Sequence, residues 1–128
     1  LHPGSAPFQF TNLGHLALDE LPDLYRNTNC ALVLSATNAS LLPYEVMACG
    51  CPIVTNEGKN NEWLFPSGYF GVAPNTPIDL GERLSEIISS TEVREIVVQS
   101  GLSIVSNTDW VKNAKDILNF IKLESKIN

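Results

Sequence analysis

Positive charge is scarce in this sequence: 8 Lys and Arg stand against 14 Asp and Glu, for a net charge of -6. A surface of that sign repels phosphate backbones and anionic lipid, which argues against nucleic acid and membrane as partners. It leaves room for a local anion site, because backbone N–H groups bind phosphate without Lys or Arg. Long apolar runs are also absent. None approaches the ~20 residues of a membrane span, and the first residues lack the pattern of a secretory leader, so the expectation is no membrane span and a cytoplasmic location. Cysteine is sparse and odd in number, at Cys30, Cys49 and Cys51. Cys49 and Cys51 stand too close for paired zinc knuckles and have no His nearby, so no metal is expected, and the thiols read as buried groups in a reducing compartment. No Gly-x-Gly-x-x-Gly follows an apolar strand and no Gly-Lys-Ser/Thr occurs, which argues against a dinucleotide-dependent oxidoreductase and a P-loop nucleotidase. No cofactor is expected.

What is present suits one globular α/β domain. The 128 residues are 44% hydrophobic and 17% charged, enough for a core and too short for two ordinary domains. Residues 1–10 read as a tail or partial strand, with residues 8–11 the strand candidate, and 11–128 as the domain. Leu18, Leu21, Leu24 and Tyr25 recur at helical spacing up to Arg26, with Pro22 tolerable only in a first turn. Residues 31–34 form a continuous apolar run that predicts a strand buried on both faces of a parallel sheet. Residues 42–49 read as a helix, with Pro43 in its first turn and Gly50 stopping it. Residues 52–55 are the next buried strand, and residues 69–73 a further short one. Three amphipathic helices follow, around Leu80–Leu84–Ile87, Val93–Val97–Val105 and Trp110–Ile117–Ile121. Gly101 reads as a flaw costing about 1 kcal/mol, and Thr108 or Asp109 as the N-cap of the last helix.

Strands alternating with helices predict an open parallel sheet with helices on both faces. In such sheets ligands sit outside the carboxyl ends of the strands. Only about four strands are legible, few for a doubly wound domain, so a domain incomplete at its N-terminus is expected. The loops that matter are then residues 35–42 and 55–62.

The first loop reads Ser35, Ala36, Thr37, Asn38, Ala39, Ser40, Leu41, Leu42, Pro43, Tyr44, Glu45. Hydroxyls and small residues lead into a helix whose first N–H groups lack intrahelical partners, an arrangement that suits a diphosphate. Glu45 in the first turn either favours the helix dipole or accepts hydrogen bonds from a vicinal ribose diol. Asn38, Ala39 and Ser40 also fit the N-glycosylation acceptor pattern, which is common by chance.

The run Pro43-x-Glu45-x-Met47-Ala48-x-Gly50-x-Pro52-x-Val54 after a strand resembles the donor-site signature of group one glycosyltransferases. Those enzymes have two Rossmann-like domains (the GT-B fold) and bind a nucleotide-linked sugar mainly on the C-terminal one. The resemblance extends over roughly residues 11–122, through Leu13-Gly14, residues 19–25 and the lead into Trp110. It implies that Glu45 binds the ribose and that Ser35, Thr37, Ser40, Leu41, Leu42, Asn56 and Lys59 face the donor. The family signature holds two glutamates separated by seven residues, and the first falls here on Thr37. The approach and exit of the motif are similar to bacterial rhamnosyltransferases, which implies a UDP- or dTDP-linked hexose or deoxyhexose donor. The implied partner is an N-terminal acceptor domain beyond this chain; self-association through an open sheet edge is also expected. The alternative is a non-catalytic nucleotide-binding or scaffold module, which Thr37 in place of an acid favours. No catalytic residue is assigned.

Other residues leave two readings open. His15 is a sugar contact or a turn residue, and Lys59 a diphosphate contact or a solvated lysine. Asn56, Asn60 and Asn61 contact the sugar or form turns, and Glu62 engages the donor or starts the segment at Trp63. Trp110 is expected to be a core anchor, because its neighbours repeat at helical spacing.

Overall fold

The structure is a computed structural model that describes residues 7–37 and 40–124. The first six residues, and Asn38 and Ala39 of the acceptor pattern, lie outside the described residues. In chain order the elements are α1 (Leu21–Arg26), β1 (Ala31–Leu32), α2 (Leu42–Ala48), β2 (Ile53–Asn56), β3 (Val72–Ala73), α3 (Pro77–Ser89), α4 (Thr91–Ser106) and α5 (Trp110–Glu124). The strands form a parallel sheet in the order β1-β2-β3, with α2 connecting β1 to β2, as expected.

β2 is the centre of the molecule. Ile53, Val54, Thr55 and Asn56 are all buried, so both faces of this strand are covered. The core around it takes Val46 and Met47 from α2, Leu80 and Ile87 from α3, and Val97 from α4. α2 ends because Gly50 adopts φ 75, a conformation that costs a residue with a Cβ. The later helices are capped by short polar side chains. Thr76 accepts from the Asp79 N–H at 3.2 Å and Ser90 from that of Val93 at 3.2 Å. Asp109 accepts from Lys112 at 2.9 Å, while Thr108 bonds back to Ile104 and closes α4. The N-cap of α5 is therefore Asp109.

Four expectations change. Residues 8–11 form no strand; Phe8 and Phe10 are exposed and meet edge to face at 6.3 Å, which leaves three strands among the described residues. β1 is not buried on both faces: among the described residues it pairs with β2 alone, and Leu32 and Leu34 are 47% and 57% exposed. They line an apolar groove of about 360 Å³ with Leu80 and Leu84 of α3, which does not close over β1. Gly101 is no flaw. It is buried, and a Cβ there would stand 3.0 Å from the Met47 side chain, so its smallness lets α4 approach α2. Trp110 is 56% exposed and anchors no core; its ring meets that of Tyr44 edge to face at 5.6 Å. A helical apolar stripe buries itself only where another element covers it, and α5 has no buried residue among those described.

Candidate functional site

Because the three strands are parallel, the segments after β1, β2 and β3 emerge at one edge of the sheet. The segment after β1 leads directly into α2. Ser35 sits partly buried at its start, while Thr37, Ser40, Leu41, Leu42 and Glu45 are exposed. The Ser40 hydroxyl accepts the Leu42 N–H at 3.2 Å, and Leu41 occupies the N-cap without a side-chain cap. A polar ligand at this turn would compete with Ser40 for the Leu42 N–H.

Glu45 lies in the first turn of α2. Its charge reaches Tyr25 of α1: burial first, then the Glu45 carboxylate and Cys49, push the Tyr25 phenol above its usual range. An exposed carboxylate offers two acceptor oxygens to neighbouring hydroxyls.

The segment after β2 is held by asparagines. The Asn56 amide oxygen accepts the Ser35 N–H at 2.9 Å, and its nitrogen donates to the Ser35 carbonyl at 2.9 Å and that of Glu57 at 3.1 Å. Asn60 donates to the Ser35 carbonyl at 2.9 Å and hydroxyl at 3.1 Å. Buried Asn61 donates to the Asn56 carbonyl at 2.6 Å and the Thr55 hydroxyl at 3.3 Å. The chain thus gathers Ser35, Asn56 and Asn60 into one polar latch joining the ends of β1 and β2. The sequence placed Asn56, Asn60 and Asn61 near the site and left contact or turn open. The signal that resolves them is position: amides that follow a fully buried strand must satisfy its terminal carbonyls.

Lys59 is exposed within that loop. Among the arginines, Arg26 pairs with Asp23 at 2.8 Å and Arg83 lies 4.0 Å over the Phe70 ring, both in other parts of the fold. A cavity of about 440 Å³ opens next to the loop, lined by Glu57, Gly58, Glu62, Phe65 and Tyr69. His15 is exposed in its turn. Two features escaped the sequence: the approach of Tyr25 to Glu45, and the grouping of Tyr44 with Trp63 and Trp110, at 6.4 Å and 5.6 Å. Residues that far apart in the chain leave no periodic signal.

The thiols are free. Cys51 is buried and Cys30 and Cys49 half-buried. Burial pushes the Cys30 and Cys51 thiols up to about 11, with Cys51 adding to the shift at Cys30, so both remain protonated near neutrality. Among the described residues no group of His, Cys, Asp and Glu could hold a metal ion, and no helix is long and apolar enough to cross a membrane.

Comparison with known proteins gives this arrangement a context. O-antigen biosynthesis protein RfbC of Myxococcus xanthus is 35% identical over 102 residues, 78% of this chain and 8% of that protein. The uncharacterized glycosyltransferase MJ1178 of Methanocaldococcus jannaschii is 26% identical over 103 residues, 78% of this chain and 29% of that protein. The chain therefore spans less than a third of either relative. No solved structure matches. The family model for the WsaF C-terminal domain matches residues 4–85, which hold β1, α2, β2 and the latch between them. The chain belongs to the WsaF C-terminal domain family and is a glycosyltransferase-related C-terminal domain.

Proposed function

We propose that this chain is the nucleotide-sugar donor-binding part of a glycosyltransferase with the GT-B fold, in which Glu45 holds the ribose and the 40–42 turn holds the diphosphate. The observation that carries the reading is Glu45, exposed in the first turn of the helix that follows β1, at the carboxyl edge of a parallel sheet. A carboxylate there accepts both hydroxyls of a vicinal diol, while the 40–42 turn presents N–H groups to phosphate. Lys59 supplies a cation to the diphosphate. Asn56 and Asn60 fix Ser35, so the loop bearing Thr37 starts from a rigid point. The donor is a UDP- or dTDP-linked hexose or deoxyhexose. Transfer belongs to a longer chain that brings an acceptor domain to this edge, and the segment alone transfers no sugar, because reaction needs both halves of a cleft.

The second reading is a nucleotide-binding or scaffold module without transfer activity. Thr37, which offers a hydroxyl where the resembling family has an acid, favours it. Calorimetry with UDP and dTDP tests the first reading. Binding weakened by Glu45→Gln supports it, and absence of binding to the longer chain overturns it. In that longer chain, transfer activity separates the two readings: activity with Thr37 in place supports another catalytic group, and activity gained only in Thr37→Glu supports a lost acid.

A further inference from the structure

Two side-chain amides close on one residue. The Ser35 carbonyl accepts from Asn56 and from Asn60, each at 2.9 Å, and the Ser35 N–H donates to the Asn56 amide oxygen at 2.9 Å. Asn56 alone therefore satisfies both backbone groups of Ser35 where β1 ends. The second amide adds nothing that the strand end requires, because a carbonyl with one good donor is already paired. What it adds is a second fixed point further along the loop. Asn56 and Asn60 are both tied to Ser35, so residues 57–59 form a short span pinned at its two ends. Gly58 in that span has φ 151, and a Cβ there would stand 2.6 Å from the Asn60 amide oxygen. The glycine thus supplies both the backbone conformation and the room that the Asn60 side chain needs. The residue between them is Lys59. It is exposed, and it is the one basic residue in the loops 35–42 and 55–62.

We infer that Asn60, with the room left by Gly58, is a positioning residue: it holds the backbone that carries Lys59 so that this lysine meets the phosphates of a nucleoside diphosphate. The inference rests on the donor-binding reading above and names the device that serves it. A lysine is a point charge on a flexible stem. Carried on a loose loop, it would lose backbone as well as side-chain freedom when an anion binds, and a glycine beside it raises that loss. A span pinned during folding leaves only the side chain to be ordered by the ligand, which is how preorganisation raises affinity without a new contact. Asn60 itself touches no ligand in this scheme. Its amide protons are already given to the carbonyl and, at 3.1 Å, to the hydroxyl of Ser35, and its effect reaches the phosphates through Lys59.

The test is a double-mutant cycle read by calorimetry with UDP and dTDP, on the wild type, Lys59→Ala, Asn60→Ala and the double variant. Each single change should weaken binding about fivefold to tenfold. The double variant should bind no more than about twofold worse than Lys59→Ala, because two residues that act through one contact are not additive. Gly58→Ala displaces the Asn60 amide, so it should weaken binding in the wild-type background and hardly at all once Asn60 is alanine. The urea midpoint of Asn60→Ala should stay close to wild type, since Asn56 still satisfies Ser35. Unchanged affinity in Asn60→Ala overturns the inference and leaves the donor reading standing. So does a cycle in which the two losses multiply, which would mark Asn60 as a purely structural residue. A wild-type chain that binds neither nucleotide removes the donor reading and this role with it.

Discussion

At the residue scale, the Glu45 carboxylate lies near enough to the Tyr25 phenol to raise its pKa, second to burial. Glu45→Gln should therefore lower the Tyr25 pKa in a spectrophotometric titration, and an unchanged value would separate the two groups. The same substitution should weaken UDP or dTDP binding by about one to two decades, since a charge-assisted hydrogen bond contributes about 1.5–3 kcal/mol. Unaltered affinity in calorimetry would place the ribose elsewhere. Asn61 makes a different kind of contribution. It is 3% exposed and donates to the Asn56 carbonyl at 2.6 Å, out of reach of bulk water. Asn61→Ala leaves that carbonyl unsatisfied and should destabilise the fold by about 1–3 kcal/mol, read from urea unfolding.

Among the elements, β3 reaches β2 through a close approach at Gly71. A Cβ at that position would stand 2.0 Å from the Ile53 carbonyl oxygen, which is backbone and cannot swing aside. The Gly71 carbonyl also accepts the Thr55 N–H at 2.9 Å, so the strands cannot separate without losing pairing. Gly71→Ala should destabilise by at least the ~1–3 kcal/mol usual for overpacking, with the loss seen as a lower urea midpoint. A wild-type midpoint would show that β3 is free to shift. At the opposite edge, β1 is paired on one side only among the described residues, and Leu32 and Leu34 line the open groove beside α3. Such an edge invites another strand. Light scattering should therefore show self-association that rises with concentration. It should also rise with salt, because screening within ~8 Å at physiological ionic strength weakens the repulsion between acidic copies. Leu34→Lys should suppress it. Indole emission should stay constant throughout, since the tryptophans lie outside that groove. A monomer at every concentration would mean the edge is already covered.

For the whole molecule, alkaline pH probes the packing around β2. The Cys30 and Cys51 thiols are raised by burial to about 11, from an ordinary value of 9.0. Between those values the unfolded chain releases protons that the folded chain retains. Their contribution is therefore intact below pH ~9 and is lost as pH climbs toward ~11. The urea midpoint should fall across that window, and less so in Cys30→Ser with Cys51→Ser. A flat midpoint would mean that water reaches both thiols.

The sequence by itself determined the local structure. Pro22 and Pro43 in first turns, Gly50 at φ 75, and the spacing of Leu80, Leu84 and Ile87 each act within a turn or two of chain. Elements of this kind are written in nearest-neighbour sterics and periodicity. The parallel pairing of β1 with β2 was legible too, because a strand, a short helix and a second strand leave few ways to connect. The position of Glu45 came from the motif. Burial was the part that pattern could not supply. Residues 31–34 and the stripe from Trp110 to Ile121 are apolar, yet β1 is an edge and α5 is uncovered, because burial depends on which other element arrives. Gly101 reads as a weakness along its helix and becomes a contact only when Met47 packs against it. The latch of Asn56 and Asn60 on Ser35, and the meeting of Tyr44 with Trp63 and Trp110, join residues 19 or more apart in the chain. Only the folded chain brings them within reach, since such contacts are set by the docking of whole elements and not by the preference of any one residue.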